Sequence, residues 1–411
     1  MNTLRKIYCR AFQKAFHIAI PFLPYRKPKI AGSVRELPEI IMRHKCTHVL
    51  IITDGGIMTL GLTRRLEKVL KEAGIPYTIY DKTVANPTTV NVREALELYH
   101  KEGCDAIIGF GGGSSMDCAK AVGACAVKPN QSLAQMKGIL KVHKKLPLLM
   151  AVPTTAGTGS ETTLAAVITD ADTRYKYAIN DFPLIPRYAV LDPKVTLSLP
   201  PFITATTGMD ALTHAIEAYV STLNGPFTDP LALQAIEMVL DYLPASYHCD
   251  MVAREQMHYA QCLAGMAFSN ALLGIVHSMA HKTGAAFSTG HIPHGCANAI
   301  YLPYVIQYNA KDPVAAKRYA EIARRMGLPG TSEKALINSL IEKIDDFNVR
   351  LNIPKTLKDF GINEDEFKEK VDKIAELAVG DACTGSNPRA IDPAAMAKLL
   401  TCTYYGTEVD F

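Results

Sequence analysis

The chain has 411 residues, too many for one ordinary hydrophobic core, so its length predicts two or three folding units. Its composition, 48% hydrophobic, 20% charged and 8% aromatic, excludes the disordered, collagen-like and membrane classes. The formal charge is only +4, from 44 lysines and arginines against 40 acidic residues, so neither nucleic acid nor a membrane is expected as a partner.

The N-terminal segment and the cysteines both indicate the cellular compartment in which the protein is expected. Residues 1–30 are predicted to form a helical extension. They are not expected to be a secretory signal, because Gln13, Lys14 and His17 interrupt the apolar run that such a signal needs. The ten cysteines include no C-x-x-C pair, which favours reduced thiols in the core. The expected location is the cytoplasm.

The first 200 residues alternate short apolar runs with helical patterns. Strands are predicted at 47–53, 77–80 and 105–110, and helices at 60–73, 90–101 and 114–127. Strands that alternate with helices of this length indicate parallel strands joined by crossover connections. Three further apolar runs, expected to extend the same sheet, lie at 146–152, 164–169 and 188–192.

The character of the sequence changes after Pro200. The residues that follow show helical periodicity with proline and glycine breaks, and few strand-like runs. The predicted fold class is therefore an α/β N-terminal domain with a parallel sheet, residues 1–200, followed by an all-α C-terminal domain, residues 201–411.

A glycine-rich turn joins the strand predicted at 105–110 to the next helix. It contains Gly111, Gly112 and Gly113 and is followed by Ser114. Glycines let the main chain approach a pyrophosphate closely, and a helix N-terminus offers N–H groups and a positive dipole end. By itself, the turn is also compatible with a tight connection that binds nothing.

The segment VPTTAGTGSET, residues 152–162, favours the ligand interpretation. It follows another apolar run and combines glycines with the hydroxyl groups of Thr154, Thr155, Thr158 and Ser160. Two such loops at strand ends match the rule that ligands bind beyond the carboxyl edge of an open parallel sheet. The first domain is therefore predicted to bind a dinucleotide.

Two segments of the second domain hold acidic and imidazole side chains at helical spacing. Asp210 and His214 are four residues apart, so they share one side of a predicted helix. The histidines further along the chain are His277, His281, His291 and His294. One carboxylate with several imidazoles is the ligand set of a divalent transition ion. The joint pattern predicts a metal site.

These motifs together resemble the iron-containing alcohol dehydrogenase family, whose relatives include dehydroquinate synthase and glycerol dehydrogenase. The matching segments are NPT (86–88), GGGSSMDCAK (111–120), PTTAGTGSE (153–161), GMDALTHAIE (208–217), HSMAH (277–281), PHGCANAI (293–300) and CTGSNPR (383–389). The resemblance implies a dinucleotide-binding α/β domain, an all-helical domain, an active site in the cleft between them, and a homodimer.

The resemblance also implies roles for individual residues of the second domain. The expected metal ligands are Asp210, His214, His277 and His294. His281 is expected to lie near the nicotinamide and the substrate and to assist proton movement without binding the ion. His291 is a rival ligand, because the segment between the histidine groups is longer than the family pattern.

The two loops and the family motifs together give the expected cofactor-binding residues. These are Asp54, Gly111, Gly112, Gly113, Ser114, Asp117, Thr154, Thr155, Thr158 and Ser160. Asp54 matches the position at which family members carry an acidic residue that accepts hydrogen bonds from the adenosine ribose. A carboxylate there would repel a 2′-phosphate, so NAD is expected to be preferred over NADP.

The implied reaction is the reversible reduction of a small aldehyde to a primary alcohol by hydride transfer from NAD(P)H. The metal acts as a Lewis acid, and the resemblance suggests Fe²⁺, although the ligand types also suit Zn²⁺ and other divalent ions. The open alternatives are a glycerol-dehydrogenase-like polyol dehydrogenase, a dehydroquinate-synthase-like lyase, and a nucleotide-binding protein without activity. The lyase would need a basic cluster, for which the histidine segment supplies only Lys282.

Overall fold

The structure, a computed structural model, describes residues 27–173 and 175–411. Of the predicted helical extension, residues 1–26 lie outside the described residues, and Lys29–Ala31 form a strand instead of a helix. The described chain divides into two compact units. One contains the residues up to Pro200 together with Met251–Gly265, and the other contains Pro201–Asp250 and Met266–Phe411. The boundary drawn from the sequence had assigned Met251–Gly265 to the helical domain.

The first unit is built on a parallel sheet, as the sequence predicts. The strands are β1 (Lys29–Ala31), β2 (Val49–Ile52), β3 (Tyr77–Tyr80), β4 (Ala106–Gly111), β5 (Gly138–Ile139), β6 (Leu148–Pro153), β7 (Ala165–Thr169), β8 (Lys176–Asn180) and β9 (Tyr188–Val190). Six of them form the main sheet in the order β1-β9-β6-β4-β2-β3, and every pair in it is parallel.

Helices cover both faces of this sheet. They are α1 (Leu37–Arg43), α2 (Gly55–Thr59), α3 (Arg64–Glu72), α4 (Thr89–Lys101), α5 (Gly113–Val127) and α6 (Leu133–Met136). Alternate residues of β2 face opposite cores: Leu50 packs with side chains of α4 and α5, whereas Ile51 packs with those of α1 and α3. This burial on both faces explains why the strands read as continuous apolar runs rather than alternating ones.

The predicted strand at 164–169 forms, but its placement in the main sheet is wrong. Strands β5, β8 and β7 make a separate three-stranded sheet, in which β7 pairs antiparallel with β8. An apolar run indicates that a strand is buried but does not specify its neighbour, and β8 was not recognised as its partner.

The second unit is helical, again as predicted, although most of the helix Met251–Ala271 belongs to the first unit. The remaining helices are α7 (Pro201–Val220), α8 (Asp229–Tyr247), α9 (Met251–Ala271), α10 (Ile275–Thr283), α11 (His294–Asn309), α12 (Pro313–Arg325), α13 (Glu333–Arg350), α14 (Glu364–Val379) and α15 (Pro393–Tyr405). The 3-10 helices of the chain are Val34–Glu36, Ser160–Thr162, Phe182–Leu184, Pro193–Val195 and Ala382–Ser386. Helix α7 is apolar on nearly all sides and is buried by α8 and α11.

No single helix within residues 27–173 and 175–411 has the length and apolar character needed to cross a membrane. One bent pair, α9 with α10, meets those two criteria together, on length and composition alone.

Candidate metal centre and nucleotide loops

Three adjacent strands of the main sheet end at predicted cofactor-binding residues. Asp54 follows β2, the glycine turn follows β4, and Thr154 follows β6. Because parallel strands place their carboxyl ends at one edge, these residues lie together at that edge. At Gly111 the main chain has φ +147°, and a Cβ there would lie 2.6 Å from Oγ of Ser115. This close approach requires glycine.

The two loops predicted from the sequence pack against each other. A Cβ on Gly112 would contact Thr155, and one on Gly113 would lie 3.3 Å from Thr158. The hydroxyl oxygens of Thr154 and Thr155 are buried and have no hydrogen-bond partner among the described residues. Buried polar groups are normally paired, so these hydroxyls fit a site that a polar ligand completes.

Asp54 lies at the mouth of the glycine turn. Its side chain caps α2 by accepting a hydrogen bond from the Ile57 N–H at 3.0 Å. The other carboxylate oxygen accepts from the Ser115 hydroxyl at 3.4 Å. The carboxylate is therefore held in one orientation beside the loop.

Asp117 and Ser160 join the two loops to each other. The Ser160 hydroxyl donates to Asp117 at 2.7 Å, and the Val167 N–H donates to the other oxygen of Asp117 at 3.0 Å. Lys120, fully buried on α5, donates to Ser160 at 2.8 Å and to Thr163 at 2.9 Å. Burial lowers the pKa of Lys120. The sequence analysis did not single out Lys120, although it lies three residues after Asp117 on the same helix.

Gly113 and Ser114 lie in the first turn of α5, and Asp117 lies in its second turn. This helix begins at Gly113, one residue before the predicted start. The Ser114 hydroxyl accepts a hydrogen bond from the Asn86 N–H at 3.3 Å. All ten predicted cofactor-binding residues thus lie within the two loops, in the first two turns of α5, or just after β2.

The four predicted metal ligands come from three helices of the second unit. Asp210 and His214 lie on α7, His277 on α10 and His294 at the first residue of α11. Oδ1 of Asp210 lies 4.0 Å from Nε2 of His214, 3.6 Å from Nε2 of His277 and 3.7 Å from Nε2 of His294. Ligands held at about 2.0–2.2 Å from one ion lie roughly 3–4 Å apart, so these separations fit one divalent cation.

Glu217 holds His277 in position. Its carboxylate lies 2.6 Å from Nδ1 of His277 and also accepts the Val276 N–H at 2.7 Å. Burial opposes protonation of His277, but the Glu217 and Asp210 carboxylates outweigh it and raise the pKa of His277 to about 9. A cation that binds Nε2 displaces the proton from that nitrogen, while Glu217 keeps the other proton on Nδ1.

Asn298 completes the polar centre. Its amide nitrogen donates to Asp210 at 2.6 Å and lies 3.2 Å from Nε2 of His277 and 3.3 Å from Nε2 of His294. Its carbonyl oxygen is buried without a partner in the described part of the chain. The amide nitrogen of Asn298 thus contacts three of the four predicted ligands, and the unsatisfied carbonyl oxygen belongs to the same side chain.

The sequence analysis missed Glu217 and Asn298 as site residues, although both were within quoted motifs. Glu217 lies three residues after His214 and seven after Asp210, so helical periodicity places all three on one face of α7. Asn298 lies four residues after His294 on α11. The spacing was visible in the sequence, but the partners of these side chains were not.

His281 lies beside the cluster and has an acidic partner. Nδ1 of His281 is 3.3 Å from Asp381, and the Lys282 ammonium is 2.7 Å from the same carboxylate. Burial opposes ionisation of Asp381, but His281 and Lys282 outweigh it and lower its pKa. The ring of His281 stacks on that of His294 with centroids 5.4 Å apart.

His291, the rival ligand, lies elsewhere in its loop. It is exposed, and its ring lies next to Gly284. Within the described residues, the group whose ligand atoms all lie within 4.8 Å of one another contains Asp210, His214 and His277; it includes neither His291 nor the partly exposed His294.

Gly295 allows α11 to approach α7 closely. A Cβ at this position would lie 2.1 Å from the Thr206 carbonyl oxygen and 3.1 Å from Cβ of Asp210. We predict that Gly295→Ala moves His294 away from Asp210 and destabilises the protein by about 1–3 kcal/mol, the usual cost of overpacking. Thermal unfolding and metal affinity measure this effect. Gly225→Ala, where an added Cβ meets nothing within 4 Å, serves as the control. Equal melting temperatures for the two variants would contradict the close packing.

The donor set and the loops together define a class of protein. One carboxylate and three imidazoles suit a divalent transition ion, and the glycine and threonine loops suit a dinucleotide. Such a donor set and such loops in one chain are typical of metal-dependent oxidoreductases.

Comparison with known proteins identifies the family. The family model for iron-containing alcohol dehydrogenase matches residues 30–193, and the model for the C-terminal part of the Fe-containing alcohol dehydrogenase family matches residues 204–404. The chain therefore belongs to the iron-containing alcohol dehydrogenase family. It is an oxidoreductase of alcohols and aldehydes, and the alternatives of a polyol dehydrogenase or a lyase are not favoured.

Individual relatives agree with this assignment. The chain is 50% identical over 365 residues to an NADPH-dependent butanol dehydrogenase of Clostridium saccharobutylicum, covering 88% of this chain and 93% of the relative. It is 41% identical to a bifunctional aldehyde-alcohol dehydrogenase of Escherichia coli (strain K12), covering 87% of this chain but only 43% of that longer enzyme. The crystal structure of a 1,3-propanediol oxidoreductase matches with a TM-score of 0.87 and 35% identity, covering 93% of this chain and 99% of that one.

The comparisons do not support the expected preference for NAD. The Clostridium relative is named as NADPH-dependent.

Proposed function

We propose that the chain reduces small aldehydes to primary alcohols, and oxidises the alcohols in reverse, with Fe²⁺ held by Asp210, His214, His277 and His294. The observation that carries this proposal is the convergence of three imidazole nitrogens within 4.0 Å of one buried carboxylate oxygen. The donor set also accepts Zn²⁺. Butanal is the first substrate to test, since the Clostridium relative is named as a butanol dehydrogenase.

The residues around the ligands have separate tasks in this proposal. A bound divalent ion supplies Lewis acidity toward the substrate oxygen, and a nicotinamide dinucleotide supplies or accepts the hydride. Glu217 keeps the Nδ1 proton of His277 in place, so that Nε2 remains a lone-pair donor. Asn298 fixes the Asp210 carboxylate through its amide nitrogen.

His281 is proposed to move the proton that the reaction releases or consumes. Asp381 is paired with Lys282 and stays ionised, so it accepts from Nδ1 of His281. This leaves Nε2 of His281 as the nitrogen that exchanges the proton. Asp381 acts as a positioning residue, since its contact is with the imidazole.

The cofactor is proposed to bind at the two loops through the ten residues at the carboxyl edge of the main sheet. The unpaired hydroxyls of Thr154 and Thr155 support this, because a ribose or phosphate oxygen would satisfy them. The helix N-terminus at Gly113 adds N–H groups for a phosphate.

The test of the proposal is an anaerobic reconstitution with Fe²⁺ followed by a kinetic screen. Butanal, acetaldehyde and lactaldehyde are each supplied with NADH and with NADPH, and loss of the reduced nicotinamide absorbance is followed. Turnover that depends on both added iron and an aldehyde is expected. Iron-loaded protein that consumes neither cofactor with any of these aldehydes would contradict the dehydrogenase assignment and favour a nucleotide-binding protein without activity.

Asp54 is proposed to weaken binding of a 2′-phosphate at the loop mouth. We predict that Asp54→Ser raises the ratio of kcat/KM with NADPH to that with NADH by about tenfold, because the change removes a negative charge facing the phosphate. Both ratios are measured with butanal. The control is Asp372→Ser, which removes one negative charge from an exposed position of α14. It should leave the ratio unaltered. An equal ratio in wild type and Asp54→Ser would show that Asp54 does not face the cofactor.

The domain boundary is proposed on the change of sequence character after Pro200, the location on the cysteine pattern, and the assembly on the family resemblance. We propose the domains 1–200 and 201–411, a homodimer, and a cytoplasmic enzyme whose partners are its alcohol and aldehyde substrates. Light scattering after size-exclusion chromatography tests the dimer, since a mass of one chain would contradict it.

A further inference from the structure

A groove lies at the amino edge of the main sheet, on the opposite side from the nucleotide loops. Its volume is about 670 Å³. His44 precedes β2, Lys145 precedes β6 and Arg187 precedes β9, and all three line the groove. The nucleotide loops follow the carboxyl ends of the same parallel strands. The groove is therefore separated from them by the length of the strands.

Among the described residues, the charged groups that line the groove are all basic. Lys145 and Arg187 are exposed, and neither makes an ion pair among the described residues. Asp105, whose carbonyl oxygen contacts the lining residue Cys46, and Asp181, next to Phe182 in the chain, each have partners of their own. Asp105 accepts the main-chain N–H groups of Thr47 and His48, and Asp181 is buried and accepts that of Val142.

The basic groups repel one another at His44. Burial lowers the pKa of His44, and Arg187, Lys145, Lys29 and Arg43 lower it further. Of these, Arg43 has an ion-pair partner in Glu39. The rim of the groove therefore carries a positive potential, which attracts an anionic group.

The floor of the groove is apolar. Leu149 and Ile185 are buried, and Phe182 and Pro183 are half-buried with their remaining surface facing the groove. A volume of this size is within the range of roughly 300–1,000 Å³ that small-molecule sites have. An apolar floor with a basic rim matches a molecule that has both an apolar body and an anionic group.

We propose that this groove is a second small-molecule site, which binds an organic anion with its charged group against Lys145 and Arg187 and its apolar body against Phe182 and Pro183. The ligand class is a phosphorylated, sulfonated or carboxylated molecule with a flat or branched apolar part. This site is independent of the nicotinamide cofactor and of the metal.

The experiment compares two fluorescent probes that differ only in one charged group. The anionic probe is 8-anilinonaphthalene-1-sulfonate, and the uncharged probe is N-phenyl-1-naphthylamine. Each is titrated into the full chain with NADPH in excess, so that the nucleotide loops are filled. The variants are K145Q/R187Q and the control R93Q/K101Q, which removes the same charge from the exposed side of α4.

In wild type and in R93Q/K101Q we expect the anionic probe to bind equally well. In K145Q/R187Q its affinity should fall by about tenfold or more, because two charge-assisted contacts are lost. Binding of the uncharged probe should change by less than about twofold, since it makes no such contacts. Phe182→Ala should weaken both probes. Unaltered alcohol dehydrogenase activity and melting temperature show that each variant is folded.

Two results would overturn the proposal. Loss of the anionic probe on addition of NADPH would place the probe at the nucleotide loops. Equal affinity of the anionic probe for wild type and K145Q/R187Q would show that the basic rim does not bind it. Competition then identifies the anionic group that the site prefers. Displacement of the anionic probe by phenyl phosphate or by benzoate supports the site, and displacement by neither contradicts it.

Discussion

Replacement of His277 by alanine is expected to remove the metal and lower kcat by about a thousandfold or more. The reason is that the bound ion contributes several kcal/mol of stabilisation, and each 1.36 kcal/mol corresponds to about tenfold in rate. His277 is buried and provides the imidazole nitrogen nearest to Asp210, at 3.6 Å. Binding of NADPH should be retained, because the predicted nucleotide loops belong to the other compact unit.

Iron content, turnover with butanal and NADPH binding are the three measurements for this variant. The matched control is His291→Ala, which removes an exposed histidine from the same histidine-rich segment. It should keep its iron and its activity. Full iron content and activity in His277→Ala would refute the ligand assignment, and loss of iron in His291→Ala would make His291 the ligand in place of His294.

Replacement of Glu217 by glutamine is expected to weaken metal binding by about 10–100-fold, the usual effect of changing a group that orients a ligand. A glutamine can still accept the Val276 N–H through its oxygen. Its amide nitrogen then faces Nδ1 of His277 and donates to it, which moves the imidazole proton to Nε2. The nitrogen that faces Asp210 is then a donor and is unable to bind a cation.

A metal titration monitored by activity measures this effect. Because the defect is in affinity, saturating Fe²⁺ should restore most of the turnover of Glu217→Gln, whereas it should not restore that of His277→Ala. Glu342→Gln, on the exposed side of α13, is the control for the loss of one carboxylate. A titration midpoint equal to that of wild type would show that Glu217 does not orient His277.

Much of the fold is predictable because its signals are local. The runs around β2, β4 and β6 are apolar on both faces, and the helices between them follow at crossover length, so a parallel sheet is the consistent interpretation. Strand β7 shows where local signals stop. Its apolar residues indicate burial. Its partner β8, Lys176–Asn180, begins with a lysine and ends with an asparagine, and gives no strand signal of its own.

The short strand β1 illustrates a second limit. Lys29–Ala31 is only three residues long and follows a basic segment, and its conformation depends on pairing with β9, more than 150 residues away. Such long-range pairing leaves no local pattern in the sequence.

The metal site is predictable only in part, because some of its residues follow local spacing and others depend on long-range contacts. The spacing of Asp210 and His214 gives one side of α7, and the family motifs supply His277 and His294. The sequence has no signal for Glu217 facing His277, since this contact joins α7 to α10 across 60 positions. Asp381, 100 positions from His281, was missed likewise.

Crystallography of the Fe²⁺-loaded protein with anomalous scattering at the iron edge tests the central claim most directly. The account predicts one iron peak within about 2.0–2.3 Å of Asp210, His214, His277 and His294. A peak instead at the neighbouring group of His281, Asp381 and Cys383, or at any position that Asp210 does not reach, would contradict it.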